Sequence, residues 1–312
     1  MNTPERATAS PVDETRMANS SGRPDILKMV GAAPARLGEI VVFLDQQTET
    51  AGILELAGGL AQEHGTNLTG VFMQPLPAST PPETFARGKG IPDVIEAHRA
   101  QLEGIEAGHR ALFDDIVRRH GIRSEWRSVP SFSSDLEVHA HYADLAVVAR
   151  PDPAGQTAGP PGLVESLVLT SGRPVIVLAP RGTASRFRRI LVGWNAEREA
   201  VRAVADALPL LVRADVVEVL IVDPERHRTA HGQEPGADIA RYLVRHGARV
   251  EVRRLPSGGE DVGRVLLSHA SAFGADLVVM GAYGHSQLNE WIFGGATRTV
   301  LREADLPVLM SR

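Results

Sequence analysis

The spacing of apolar residues changes repeatedly along this chain. Ile40 to Leu44 is a continuous apolar run closed by Asp45, the pattern of a strand buried on both faces. Residues 49–63 predict a helix ending near His64-Gly65, and Leu68 to Met73 predict a second strand. Val94, Ile95, Leu102, Ile105, Leu112, Phe113, Ile116 and Val117 form one stripe, so a long helix is expected over 93–119. Gly121 sits where a left-handed cap would stop it. A strand over 122–128, a short helix over 134–141 and the strand 145–149 follow. A loop rich in Pro and Gly over 150–162, a helix over 163–171 and the strand 175–178 close the unit. Residues 1–36 show no sustained period and are rich in Pro, Ser, Thr, Ala and charge. They read as a disordered tail with at most a weak helix over 17–30.

The same order then repeats. Strands are expected at 190–192, 217–222, 250–253, 277–280 and 308–310, and helices at 197–212, 235–246, 260–273 and 295–304. The letters repeat as well. Arg119-His120-Gly121-Ile122-Arg123 matches Arg245-His246-Gly247-Ala248-Arg249, and Ala143-Asp144-Leu145 matches Ala275-Asp276-Leu277. An internal duplication accounts for both. The expected fold class is α/β: two tandem open parallel five-stranded sheets, with helices on both faces and right-handed crossovers. The expected organisation is a tail over 1–36, a first domain over 37–180, a linker over 181–188 and a second domain over 189–312.

Composition narrows the function classes. The 312 residues include no Cys, which excludes disulfides, thiolate metal sites and a Cys nucleophile. The formal net charge of −5 argues against a general nucleic-acid coat, which needs clustered Lys and Arg. No apolar run is as long as a membrane span, and the first residues lack the apolar core of a signal peptide. A cytoplasmic location is expected. The low aromatic share, 4% against 43% hydrophobic, suits helices packed on parallel strands.

In such sheets a ligand binds beyond the carboxyl ends of the strands. In the second domain the loop after the fourth strand reads Gly281-Ala282-Tyr283-Gly284, and the next helix opens at Gly294-Gly295-Ala296-Thr297. Glycines let a backbone approach a phosphate and present its N–H groups. The helix start adds further N–H groups and a positive dipole end, and Thr297 adds a hydroxyl. No G-x-x-x-x-G-K-[ST], G-x-G-x-x-G, H-E-x-x-H or G-x-S-x-G motif provides another chemistry.

The spacing Gly281-x2-Gly284-x9-Gly294, between an apolar strand and the final strand 308–310, resembles the nucleotide-binding signature of the universal stress protein family. The resemblance covers about 39–312 as two tandem domains. It implies the strand order 3-2-1-4-5 of a Rossmann-like, adenine nucleotide alpha hydrolase-like fold, ATP binding with or without Mg2+, and a role in stress response. Carried over, Gly281, Gly284 and Gly294 are the signature glycines, and Met280 packs beside the nucleotide. Val222 lies near the backbone position that contacts adenine. Gly193-Trp194-Asn195 ends the first strand, with Asn195 where the family usually has Asp. Gly295 stands where a Ser or Thr is usual, and Thr297 matches another hydroxyl position. Asn195 reads equally as a helix N-cap.

The first domain departs further. Asp45 matches the usual Asp, but Ala149 stands opposite Gly281, Asp152 opposite Gly284 and Val164 opposite Thr297. A carboxylate there would repel a triphosphate, so no ATP is expected in the first domain in the family manner. It would pair with the second domain as an internal pseudo-dimer. A homodimer and an unidentified protein partner are further partners to consider. The leading function is nucleotide-dependent stress signalling without efficient catalysis, through a change in the loop Tyr283–Phe293. A nucleotide-independent interaction module is the alternative. A slow nucleotide hydrolase using His285 as base is weaker, since no carboxylate orienter is readable.

Overall fold

The computed structural model describes residues 36–46, 50–74, 91–131, 136–150, 162–179, 186–227, 234–284 and 295–312. The tail before Arg36, the linker residues 181–185, Asp152, His285, Gly294 and most of the Tyr283–Phe293 loop lie outside them. All described residues belong to the unit Pro34–Arg312.

The first half runs β1 (Glu39–Leu44), α1 (Thr50–His64), β2 (Asn67–Gln74), α2 (Ile91–His120), β3 (Ser124–Pro130), α3 (Val138–His141), β4 (Leu145–Ala149), α4 (Leu163–Thr170) and β5 (Val175–Leu178). The second half runs β6 (Arg189–Gly193), α5 (Arg198–Leu211), β7 (Val216–Val222), a 3-10 turn (Pro224–His227), α6 (Ala237–Arg245), β8 (Val250–Leu255), α7 (Val262–Phe273), β9 (Leu277–Gly281), α8 (Gly295–Glu303) and β10 (Val308–Ser311).

Each half has the expected order 3-2-1-4-5, all parallel. The two sheets expected as separate are one. Their last strands pair antiparallel, with Val308 opposite Val177 and Met310 opposite Val175, giving the order β3-β2-β1-β4-β5-β10-β9-β6-β7-β8. Both strands are buried along their whole length, so each would leave an unpaired apolar edge without the other. Because the joint is antiparallel, the carboxyl ends of the two sets of strands lie at opposite edges of the sheet.

The alternation along each strand sorts the helices into two layers. Ile40, Val42, Leu44, Ile190 and Val192 face α1, α2, α5 and α6. Val41, Phe43 and Leu191 face α3, α4, α7 and α8. The repeated Ala-Asp-Leu letters have a structural use. Asp144 accepts from the N–H groups of Gly38 and Glu39 at 2.7 and 3.1 Å, and Asp276 accepts from those of Arg188 and Arg189 at 2.6 and 3.0 Å. Each carboxylate closes the backbone donors where the first strand of its half begins. Burial pushes the Asp276 carboxyl up, against the opposing effect of those N–H bonds.

One charged group interrupts the second core. Glu218 lies mid-strand in β7 with its side chain only 3% exposed. His269 of α7 hydrogen-bonds it, and Arg253 of β8 stands at 3.7 Å. A buried carboxylate needs such partners. His269→Ala is therefore expected to cost about 2 kcal/mol in urea unfolding, because it leaves a buried acceptor with only the distant arginine. A stability within about 0.5 kcal/mol of the parent chain would show that the pair contributes nothing net.

Candidate functional site

At the carboxyl edge of the second half, β6, β7 and β9 end around a cavity of about 450 Å³, within the usual range for small-molecule sites. Eight of the nine residues singled out from sequence line it: Gly193, Asn195, Val222, Met280, Gly281, Gly284, Gly295 and Thr297. Gly294, the ninth, lies outside the described residues. Residues as far apart in sequence as Gly193 and Thr297 meet here because parallel strands end together, and the strand order turns at β6 and β9.

The backbone around this edge is strained. Among the described residues, the non-glycine residues with positive φ are Ala196 at 62°, Asp223 at 49° and Tyr283 at 59°. They follow β6, β7 and β9, the three strands that end at the cavity. Such conformations cost about 1 kcal/mol or more and gather at functional sites. Side chains hold two of these turns. Asn195 Oδ1 accepts from the Glu197 N–H at 3.1 Å, a local turn that Asn favours. Asp223 accepts from the Ser257 N–H at 2.7 Å and from the Ser257 hydroxyl at 2.6 Å, tying the end of β7 to the segment after β8. The N-cap of α5 is Glu197, so Asn195 acts two residues before the helix rather than as its cap.

Two helix starts face the cavity. Glu197, Glu199 and Ala200 line it from α5, and Gly295, Ala296 and Thr297 line it from α8. Both carry the positive end of a helix dipole. Thr297 is 4% exposed, and its Oγ1 accepts from the Tyr283 N–H at 3.4 Å, which ties the glycine loop to the first turn of α8. The Tyr283 phenol is pushed up to about 12 by burial, with Glu165 adding to the rise, so it stays neutral at ordinary pH. Leu220, Val222, Leu266 and Met280 give the cavity an apolar wall.

Sequence reasoning missed Glu197 and Glu199. Glu199 is 7% exposed, and its Oε2 has no hydrogen-bond partner among the described residues. A Cβ built on Gly284 would lie 2.8 Å from Glu197 Oε2 and 3.6 Å from Glu199 Oε2, so both carboxylates sit beside the glycine loop. Among the described residues, no Lys or Arg lines this cavity. The residues Ala196-Glu197-Arg198-Glu199 read as an ordinary acidic helix start, and nothing in their spacing marks an inward face. The arrangement offers backbone donors and helix ends for an anion, an apolar wall for a flat ring, and two carboxylates for a cation or for ligand N–H and O–H groups.

Comparison with known proteins gives one matching family. The model described as Universal stress protein family matches residues 186–312. No curated protein matches the sequence. Solved structures match over most of the chain. A universal stress protein from Archaeoglobus fulgidus DSM 4304 aligns at 16% identity and TM-score 0.62, over 87% of this chain and 98% of its own. A functionally unknown protein from Pseudomonas aeruginosa PAO1 aligns at 15% identity and TM-score 0.54, over 88% and 92%. A putative universal stress protein from Pseudomonas aeruginosa UCBPP-PA14 aligns at 14% identity and TM-score 0.53, over 88% and 93%. The last two carry the same doubled fold at similar identity. Residues 186–312 thus match the universal stress protein family, and the first half repeats the fold of the second.

Proposed function

We propose that the second half binds ATP together with a divalent ion such as Mg2+, and that this binding serves stress-response signalling without efficient catalysis. The observation that carries the reading is the convergence of Gly281, Gly284 and the α8 start with an apolar wall in one cavity. Backbone N–H groups at Gly281, Gly284 and the helix start would hold the phosphates. Val222, Leu220 and Met280 would take the adenine ring. Asn195, already accepting from Glu197, would lie near the ribose. In this reading the first half is a structural partner, and no helix among the described residues is long and apolar enough to cross a membrane.

The donor set fits a nucleotide that carries a cation. With two carboxylates and no basic side chain lining the cavity among the described residues, a bare triphosphate would meet repulsion. The buried Glu199 Oε2, without a partner among the described residues, and Glu197 would hold the ion, which suits the oxygen ligands that Mg2+ prefers. The first test is a melting experiment. Saturating ATP with Mg2+ is expected to raise the melting temperature, as any ligand of the folded state must. No shift at millimolar nucleotide would leave the interaction-module reading, which the two carboxylates and Gly295 in the usual Ser/Thr position also favour.

The ion makes a second prediction. Chelating Mg2+ with EDTA is expected to weaken ATP binding at least about tenfold, since each unscreened carboxylate near a phosphate costs over about 1 kcal/mol. The double variant Glu197→Gln/Glu199→Gln should lose most of that dependence. Calorimetry with equal affinity in EDTA and in Mg2+ would remove the two glutamates from the ligand site.

A further inference from the structure

A second cavity, of about 400 Å³, lies between the two halves. Arg150 from the end of β4, the first turn of α4, and Arg298 and Arg302 of α8 line it. The Arg150 backbone is anchored, since its N–H bonds the Leu178 carbonyl at 2.8 Å. Its side chain crosses to the other half, where Nη1 donates to the Leu301 carbonyl at 2.6 Å. Its Nε is buried and has no hydrogen-bond partner among the described residues. No carboxylate pairs with this guanidinium among the described residues, and the nearest influence is Asp305. Burial pushes its pKa below the usual arginine range. A part-buried cation without a counter-charge is costly, and here it opens onto a cavity.

The other walls have the same sign. Arg298 and Arg302 stand one turn apart on α8, both exposed. Arg302 donates to Glu303 at 2.6 Å, but Glu303 is shared with Arg264. Gly162 opens α4 at φ 78°, and a glycine in that position offers no side-chain oxygen to the N–H groups of the first turn. Among the described residues, Glu165 is the one carboxylate lining the cavity, against three guanidinium groups. The apolar side chains of Leu163, Val164 and Leu301 complete the wall.

We propose that this cavity binds a phosphomonoester, a phosphate group carrying a small organic substituent. The Arg150, Arg298 and Arg302 guanidinium groups and the α4 start would hold the phosphate. Guanidinium forks match phosphate oxygens in pairs, and a helix start completes such sites. The volume and the leucine and valine side chains leave room for an apolar substituent. This site is separate from the second-half cavity and stands whether or not that cavity takes ATP.

The test uses the full chain carrying Gly284→Asp, so that the second-half cavity is closed to phosphate. Inorganic phosphate and phenyl phosphate are titrated by calorimetry. Saturable binding is expected, tighter for phenyl phosphate. The exposed pair Arg298→Gln/Arg302→Gln should weaken it at least about tenfold with an unchanged melting temperature in the absence of ligand. Arg150→Gln should weaken it as well. Binding that survives in the double variant, or no saturation by roughly 10 mM of either probe, would overturn the proposal.

Discussion

Gly284→Asp is expected to lower ATP affinity about a hundredfold while leaving the fold intact. Gly284 is exposed and its φ is outside the left-handed region, so an L residue fits its backbone. The new Cβ would meet Glu197 Oε2 at 2.8 Å, and that is the far end of a flexible side chain which can swing away. The fold therefore tolerates the change, and the ligand does not. A third carboxylate joins Glu197 and Glu199 where the phosphates would lie. At roughly 6 Å and an intermediate dielectric the added repulsion is about 3 kcal/mol, or roughly a hundredfold. Calorimetry with ATP and Mg2+, beside melting without ligand, separates the two effects. Unchanged affinity would move the phosphates away from this loop.

Gly281→Ala is expected to act in the opposite way, on the fold before the ligand. A Cβ at Gly281 would lie 2.5 Å from both the Ala200 nitrogen and the Glu199 carbonyl carbon. These are backbone atoms in the first turn of α5, which cannot swing aside without moving the helix. Overpacking of this kind costs about 3 kcal/mol, roughly 5 to 10 °C of melting temperature for a chain of this size. Because α5 carries Glu197, Glu199 and Ala200 into the cavity, any surviving fold should also bind nucleotide more weakly. A melting temperature within about 2 °C of the parent chain would mean that the helix start yields easily. The two glycines are thus expected to differ in their physical jobs: Gly281 seats a helix, and Gly284 would clear space for a ligand.

Most of the architecture was legible in the chain because strand and helix periods differ sharply. The apolar run Ile40–Leu44, the stripe through Phe113 and Ile116, and the repeated Ala-Asp-Leu segments each carry a local signal that tertiary structure keeps. Boundaries shifted where a cap decides. α7 begins at Val262 because Asp261 accepts from the Arg264 N–H at 3.2 Å, and α6 begins only after Gly236 at φ 89°. The short helix expected over 134–141 is described only as Val138–His141, since 132–135 lie outside the described residues. The cavity was legible as far as its glycines and strand ends, because those follow from the rule that parallel strands finish together.

Three features had no sequence signal. Glu197 and Glu199 face the ligand side only because Gly281 lets α5 approach so closely. Arg150 meets Arg298 and Arg302 only through a joint between segments some 150 residues apart. That joint, β5 on β10, pairs two apolar edges whose attraction for each other is invisible in the period of either.

The joint also imposes an order of events during synthesis. β5 is complete once residue 178 has been made, but its partner is not complete until residue 311. At ordinary elongation rates the Val-Ile-Val-Leu edge waits roughly ten seconds for β10. A short, uncharged strand of that composition is a template for pairing with other chains. A nascent first half therefore passes through a window in which a chaperone, or a neighbouring copy on the same messenger, competes for the place that β10 will take.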